Sequence, residues 1–75
     1  MLSQKIVEET ILGLTEENKI TLYDLLLEVL SPETISKSQA SEFFAYFVNG
    51  KKVDIDTKIG RDDDVKILPL FAGGN

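Results

Sequence analysis

Apolar positions along this chain follow two different periods, and each period predicts a different element. The clearest stretch is "TLYDLLLEVLSP", in which Leu22, Leu25, Leu26, Val29 and Leu30 stand at i, i+3, i+4, i+7 and i+8. That is one stripe of an amphipathic helix. Thr21 stands at its N-cap and Asp24 lies near the positive end of the helix dipole. Ser31-Pro32 stops it, because proline disfavours helical geometry in the residue before it. The pattern predicts one main helix over about residues 21–31.

Residues 43–48, "FFAYFV", are apolar at every position and rich in aromatic side chains, which predicts a strand. Asn49-Gly50 follows, a strong signal for a two-residue hairpin turn. In "KKVDID", residues 51–56, Val53 and Ile55 alternate with charged neighbours as a returning strand would. A loop, "TKIGRDDD", leads into a last strand, "VKILPLF". Upstream, "QKIVE" and "TILGLTE" are short apolar-polar stretches flanking Glu8-Glu9, and they predict a first hairpin. Residues 16–19 read as a polar loop, and residues 33–42 as a Ser-rich loop with room for a helical turn. A single helix covers one face of a small sheet, whereas successive strand residues point to opposite sides. Either Phe43, Ala45 and Phe47 or Phe44, Tyr46 and Val48 therefore face away from the helix, as a protein interface would. Phe44 and Tyr46 are assigned to that partner face.

Composition narrows the chemistry. The 75 residues include neither Cys nor His, and the net charge is −5, from 13 acidic and 8 basic residues. A chain of this size is one domain near the lower limit of independent stability. Without Cys there is no disulfide, thiol nucleophile or thiolate metal site; without His, Ser-His hydrolysis and imidazole acid–base work go too. An enzyme active site is not expected. Acidity argues against nucleic acid and anionic membranes, and favours steering toward a basic partner. The start "MLSQK" begins no signal peptide and no stretch approaches the roughly 20 apolar residues of a membrane span, so a cytoplasmic address is expected. Asp62-Asp63-Asp64 lacks the spread of ligands that calcium or magnesium requires, and reads as a solvated turn. No metal is expected.

The chain closes on "ILPLFAGGN". Glycines carry no Cβ, so Gly73-Gly74 could thread a channel too narrow for any side chain and approach a bound nucleotide closely. A terminal glycine carboxylate is sterically open and suits activation by ATP to an acyl adenylate, from which a sulfur donor or an amine displaces AMP.

From Val48 to Gly74 the sequence resembles the C-terminal half of the MoaD/ThiS family of ubiquitin-like sulfur carriers. The matching pieces are Val48-Asn49-Gly50, Asp56 with Ile59, Asp62-Asp63-Asp64 with Val65, and Val65-Lys66-Ile67-Leu68-Pro69 leading to Gly73-Gly74. The stretch "TLYDLLLEVL" is similar to the family's T-V-x-E-L-L-x-x-L helix, and the first hairpin matches in outline only. The resemblance implies an α+β, ubiquitin-like β-grasp fold: a mixed sheet of about four to five strands around one main helix. Residues 1–72 would form the domain and 73–75 a flexible tail.

It further implies a carrier with no cofactor of its own. A ubiquitin-activating-type adenylating enzyme would use ATP on Gly74, and sulfur transfer would make the thiocarboxylate. The sulfur would pass to a precursor of molybdopterin or thiamin, or to tRNA, with the molybdopterin synthase large subunit or a thiazole synthase as partner. Leu68, Leu70, Phe71, Ala72 and Gly73 would join Phe44 and Tyr46 in docking, and the free protein would be a monomer. Two positions depart from the family pattern. Asp63 stands where the family turn has glycine, and Asn75 follows the glycine that a carrier must expose, so a peptidase has to remove it. Two further readings stay open: a protein modifier conjugated through Gly74, and a β-grasp binding module with a plain tail.

Overall fold

The computed structural model describes residues 2–70. Its elements in chain order are α1 (Gln4–Leu12), β1 (Ile20–Thr21), α2 (Leu22–Leu30), α3 (Lys37–Phe43), β2 (Phe44–Val48), β3 (Lys51–Val53), β4 (Lys58–Ile59) and β5 (Val65–Pro69). Three helices and five strands in two sheets make the α+β arrangement of a ubiquitin-like β-grasp domain. The main sheet has the order β3-β2-β5, and β1 pairs separately with β4. Every described pairing is antiparallel.

α2 forms where its apolar stripe lies. Leu22, Leu25, Leu26 and Val29 are buried, and Thr21 caps the helix by accepting a hydrogen bond from the Asp24 N–H at 3.1 Å. The stripe meets Tyr46 of β2, Val65 and Ile67 of β5, and Ile59 of β4 in one core. The Asn49-Gly50 turn is as expected: φ is +54° at Asn49 and +85° at Gly50. Positive φ at both central residues gives a turn whose twist matches the flanking strands, and glycine adopts it without a Cβ clash.

The first hairpin does not exist. Residues 4–12 form α1, which buries Val7 and Ile11 against the core. Val7, Ile11 and the partly buried Leu14 stand at i, i+4 and i+7, so a helical stripe was present beneath the apparent alternation. Glu8-Glu9 supplies neither the glycine nor the asparagine that a tight hairpin turn uses to reach positive φ. The Ser-rich segment, expected as a loop with room for a helical turn, holds the two-turn helix α3. Its start is a capping box: Ser36 Oγ accepts from the Gln39 N–H and Gln39 Oε1 accepts from the Ser36 N–H, both at 3.1 Å. The Tyr23 hydroxyl donates to the Ile35 carbonyl at 2.6 Å and ties the preceding loop to α2.

Candidate functional site

The register of the main sheet decides which face of β2 is outward. Phe47 lies between Lys52 of β3 and Lys66 of β5, and Ala45 lies beside Leu68. Phe44, Tyr46 and Val48 point the other way and pack on the core. The assignment of Tyr46 to a partner face is therefore corrected. It is 2% exposed, and its hydroxyl donates a 2.7 Å bond to the Ala40 carbonyl in the middle of α3. Burial pushes its phenol up to about 12. Phe44 is partly buried on the same inner face, with its ring 6.5 Å from that of Tyr46. The cause is tertiary: α2 and α3 cover the even-numbered side of β2, which neither strand propensity nor periodicity reports.

The outward face is built from Phe47, Lys52, Lys66 and Leu68. Phe47, Gly50, Asp64, Lys66 and Leu68 line a shallow depression of about 230 Å³ upon it. Leu68 is 49% exposed, Leu70 50% and Phe43 45%. The last described link of the ladder is the Leu70 N–H donating to the Phe43 carbonyl at 2.7 Å, which holds the chain to the sheet up to that residue. Leu68 and Leu70 thus stand exposed where the sequence places them. Phe47, Lys52 and Lys66 were missed; Phe47 belonged to the alternative face, and only the cross-strand register brings the two lysines beside it. Phe71, Ala72, Gly73, Gly74 and Asn75 lie outside the described residues.

Below this face, Asn49 fastens the hairpin to the acidic turn. Its N–H donates to the Asp64 carbonyl at 2.8 Å, its Oδ1 accepts from the Asp64 N–H at 3.0 Å, and its Nδ2 donates to Asp63 Oδ1 at 3.0 Å. Asp63 Oδ2 also accepts from the Gly60 N–H at 2.8 Å. The Gly60 N–H first, and the Asn49 amide second, hold the Asp63 carboxyl below its ordinary value, against a smaller opposing effect of burial. Asp63 does not adopt positive φ, so the aspartate in the family's glycine position needs no left-handed backbone there. It contributes side-chain bonds that glycine has no atoms to make. The turn that closes before β5 is thereby tied to the turn that opens after β2.

Asp54 and Asp56 serve local structure. Asp54 Oδ1 accepts from the Asp56 N–H at 3.0 Å, an Asx-type turn, and Asp56 meets Lys37 at 3.2 Å on the surface. Among the described residues no group of three or more His, Cys, Asp or Glu could hold a metal ion. None of their helices is long and apolar enough to cross a membrane.

The sheet, the helix packed behind it and the Asn49-Gly50 turn fit a ubiquitin-like β-grasp domain, and the family comparison agrees. The ThiS family profile matches residues 5–74. This chain belongs to the ThiS family. Members of that family are small sulfur carriers, not enzymes, and the match runs through Gly74. The ThiS match also spans α1, where the chain departs most from a hairpin. No curated protein and no solved structure matches the chain.

Proposed function

We propose that this ThiS-family chain carries sulfur on Gly74 after Asn75 is removed. A ubiquitin-activating-type enzyme binds the outward face, and the Gly74 carboxylate attacks the α-phosphate of ATP. Pyrophosphate leaves and an acyl adenylate forms. A sulfide donor then attacks the carbonyl carbon, AMP departs, and the terminus becomes a thiocarboxylate. This chain's own contribution is positional. Its tail reaches the enzyme's nucleotide, and its sheet face sets where the tail begins.

The observation that carries the reading is the position of Leu68, exposed on the strand that feeds the tail, and of Leu70, exposed just past its end. Gly74 lies four positions beyond Leu70, and an extended chain spans at most about 14 Å over those four steps. An enzyme gripping Phe47, Leu68 and Leu70 must therefore hold its nucleotide within that reach. The thiocarboxylate would go to a precursor of molybdopterin or thiamin, with a synthase subunit docking on the same apolar face.

The test uses protein ending at Gly74, an adenylating enzyme and ATP, with pyrophosphate exchange as the readout. Gly74→Ala is expected to abolish exchange, and normal exchange by that variant would refute the threading argument. Intact mass of protein from its native cells supplies the second measurement. Loss of Asn75 with oxygen replaced by sulfur supports the carrier. Gly74-linked conjugates without the sulfur form would assign the tail to protein modification instead.

A further inference from the structure

The hairpin turn between β2 and β3 places an asparagine directly before a glycine. Positive φ at both central residues selects this pair, because few other residues adopt it without strain. Of the three asparagines in the chain, Asn49 alone precedes a glycine. A glycine nitrogen has no Cβ beside it to shield it, so it can attack the side-chain amide of the asparagine before it. Both residues are exposed, and nothing lies within 4 Å of where a Gly50 Cβ would stand. Among the described residues the Gly50 N–H donates to no partner. The nucleophile is free and solvent reaches it.

What restrains the pair is a clamp on the Asn49 side chain. Its Oδ1 accepts from the Asp64 N–H and its Nδ2 donates to Asp63 Oδ1, both at 3.0 Å. The two partners fix which way round the amide lies, since a backbone N–H only donates and a carboxylate only accepts. The Asn49 N–H grips the same turn through the Asp64 carbonyl at 2.8 Å. Attack by Gly50 requires Cγ to approach its nitrogen and the amide to become tetrahedral, with Nδ2 as the leaving group. The side-chain bonds to residues 63 and 64 must give way first.

We propose that Asn49 is a deamidation site held closed by the Asp63-Asp64 turn, so that it reacts only while the clamp is open. The Gly50 nitrogen attacks Cγ, and its proton passes through water to Nδ2. The Cγ–Nδ2 bond breaks, ammonia departs and a succinimide remains. One water then opens the ring. Opening at Cγ leaves aspartate, and opening at the main-chain carbonyl leaves isoaspartate. The net change is one water in and one ammonia out, with no oxidant or cofactor. Either product loses the Nδ2 donor and adds a negative charge beside Asp63, and isoaspartate also lengthens the backbone of a two-residue turn. The clamp cannot re-form in its original pattern, so the change is permanent.

The test incubates the full chain at neutral pH, native and in guanidinium, and follows the tryptic peptide of residues 38–51. Deamidation exchanges NH2 for OH, a mass gain resolved on that peptide, and chromatography separates the isoaspartyl form. The native chain is expected to react at least about tenfold more slowly than the denatured chain. Asp63→Ala, folded by circular dichroism, is expected to react about fivefold faster than the parent, because Nδ2 has lost its acceptor. Amide exchange at Asp64 measures clamp opening in the parent without any substitution. The ratio of native to denatured deamidation should match the open fraction so measured within about threefold. A ratio outside that range would overturn the proposal, as would equal rates in the native and denatured chains. So would a folded Asp63→Ala no faster than the parent, or a denatured chain that forms no isoaspartate.

Discussion

Replacing Tyr46 by Phe removes one oxygen atom and tests the inward placement of a residue that strand alternation alone left free to point either way. The hydroxyl is buried and donates to the Ala40 carbonyl at 2.7 Å. A neutral buried hydrogen bond contributes about 1 kcal/mol net, and a carbonyl left without its donor costs about 1–3 kcal/mol. Tyr46→Phe is therefore expected to lose about 1–3 kcal/mol near pH 7, read as a lower urea midpoint with an unchanged slope. A second signature comes from titration. Burial raises the phenol from 10.0 to about 12, so the unfolded chain ionises first as pH rises. The contribution is fully present below pH 10 and is lost on the way to about 12, at about 1.4 kcal/mol per unit. The stability gap between the parent and Tyr46→Phe should therefore narrow by about 1.4 kcal/mol near pH 11. All other groups are common to both proteins and cancel in the difference. Equal stabilities near neutrality, or a gap that does not change with pH, would refute the assignment. Because Tyr46 faces inward, activation by the adenylating enzyme should be unchanged in folded Tyr46→Phe.

Changes on the opposite face should behave in the reverse manner. Phe47→Asp and Leu68→Asp are expected to keep the circular dichroism of the parent while lowering pyrophosphate exchange at least about tenfold, as loss of a central interface anchor does. Unfolding of both would show that the outward face is core. Asp63→Asn keeps only one of the two acceptors that bind Gly60 and Asn49, and should cost about 1 kcal/mol in urea denaturation. Since the Asp63 carboxyl titrates below its ordinary value, its contribution is present above pH 3.8 and fades as pH falls through the folded value. The parent's acid limb should therefore be steeper than that of the Asn variant; parallel limbs would count against the clamp. Gly50→Ala has open space for a Cβ but sits at φ +85°, so a loss of about 1 kcal/mol or more from backbone strain alone is expected by thermal melting. An unchanged melting temperature would exclude that strain.

Much of the domain was written in local pattern. The stripe of α2, its Thr21 cap, the Asn49-Gly50 turn and the run of β5 each follow from residues within a few positions of one another, where propensity and capping act without help. The ordered pieces from Val48 to Gly74 sufficed to place the chain beside the sulfur carriers. The capping box at Ser36 and Gln39 is equally local, and its S-x-x-Q spacing is a signal for the start of α3.

Tertiary structure decided the rest. Residues 4–12 carry apolar positions compatible with either period, and packing of Val7 and Ile11 against α2 and β5 selects the helix. Which side of the all-apolar β2 faces water depends on where α2 and α3 lie, so Phe47 is outward and Tyr46 is core. Asp63 acquires its role only because the hairpin brings Asn49 beside a turn 14 residues away. Periodicity reports what one segment can bury; only the other segments determine which of its faces remains available for a partner.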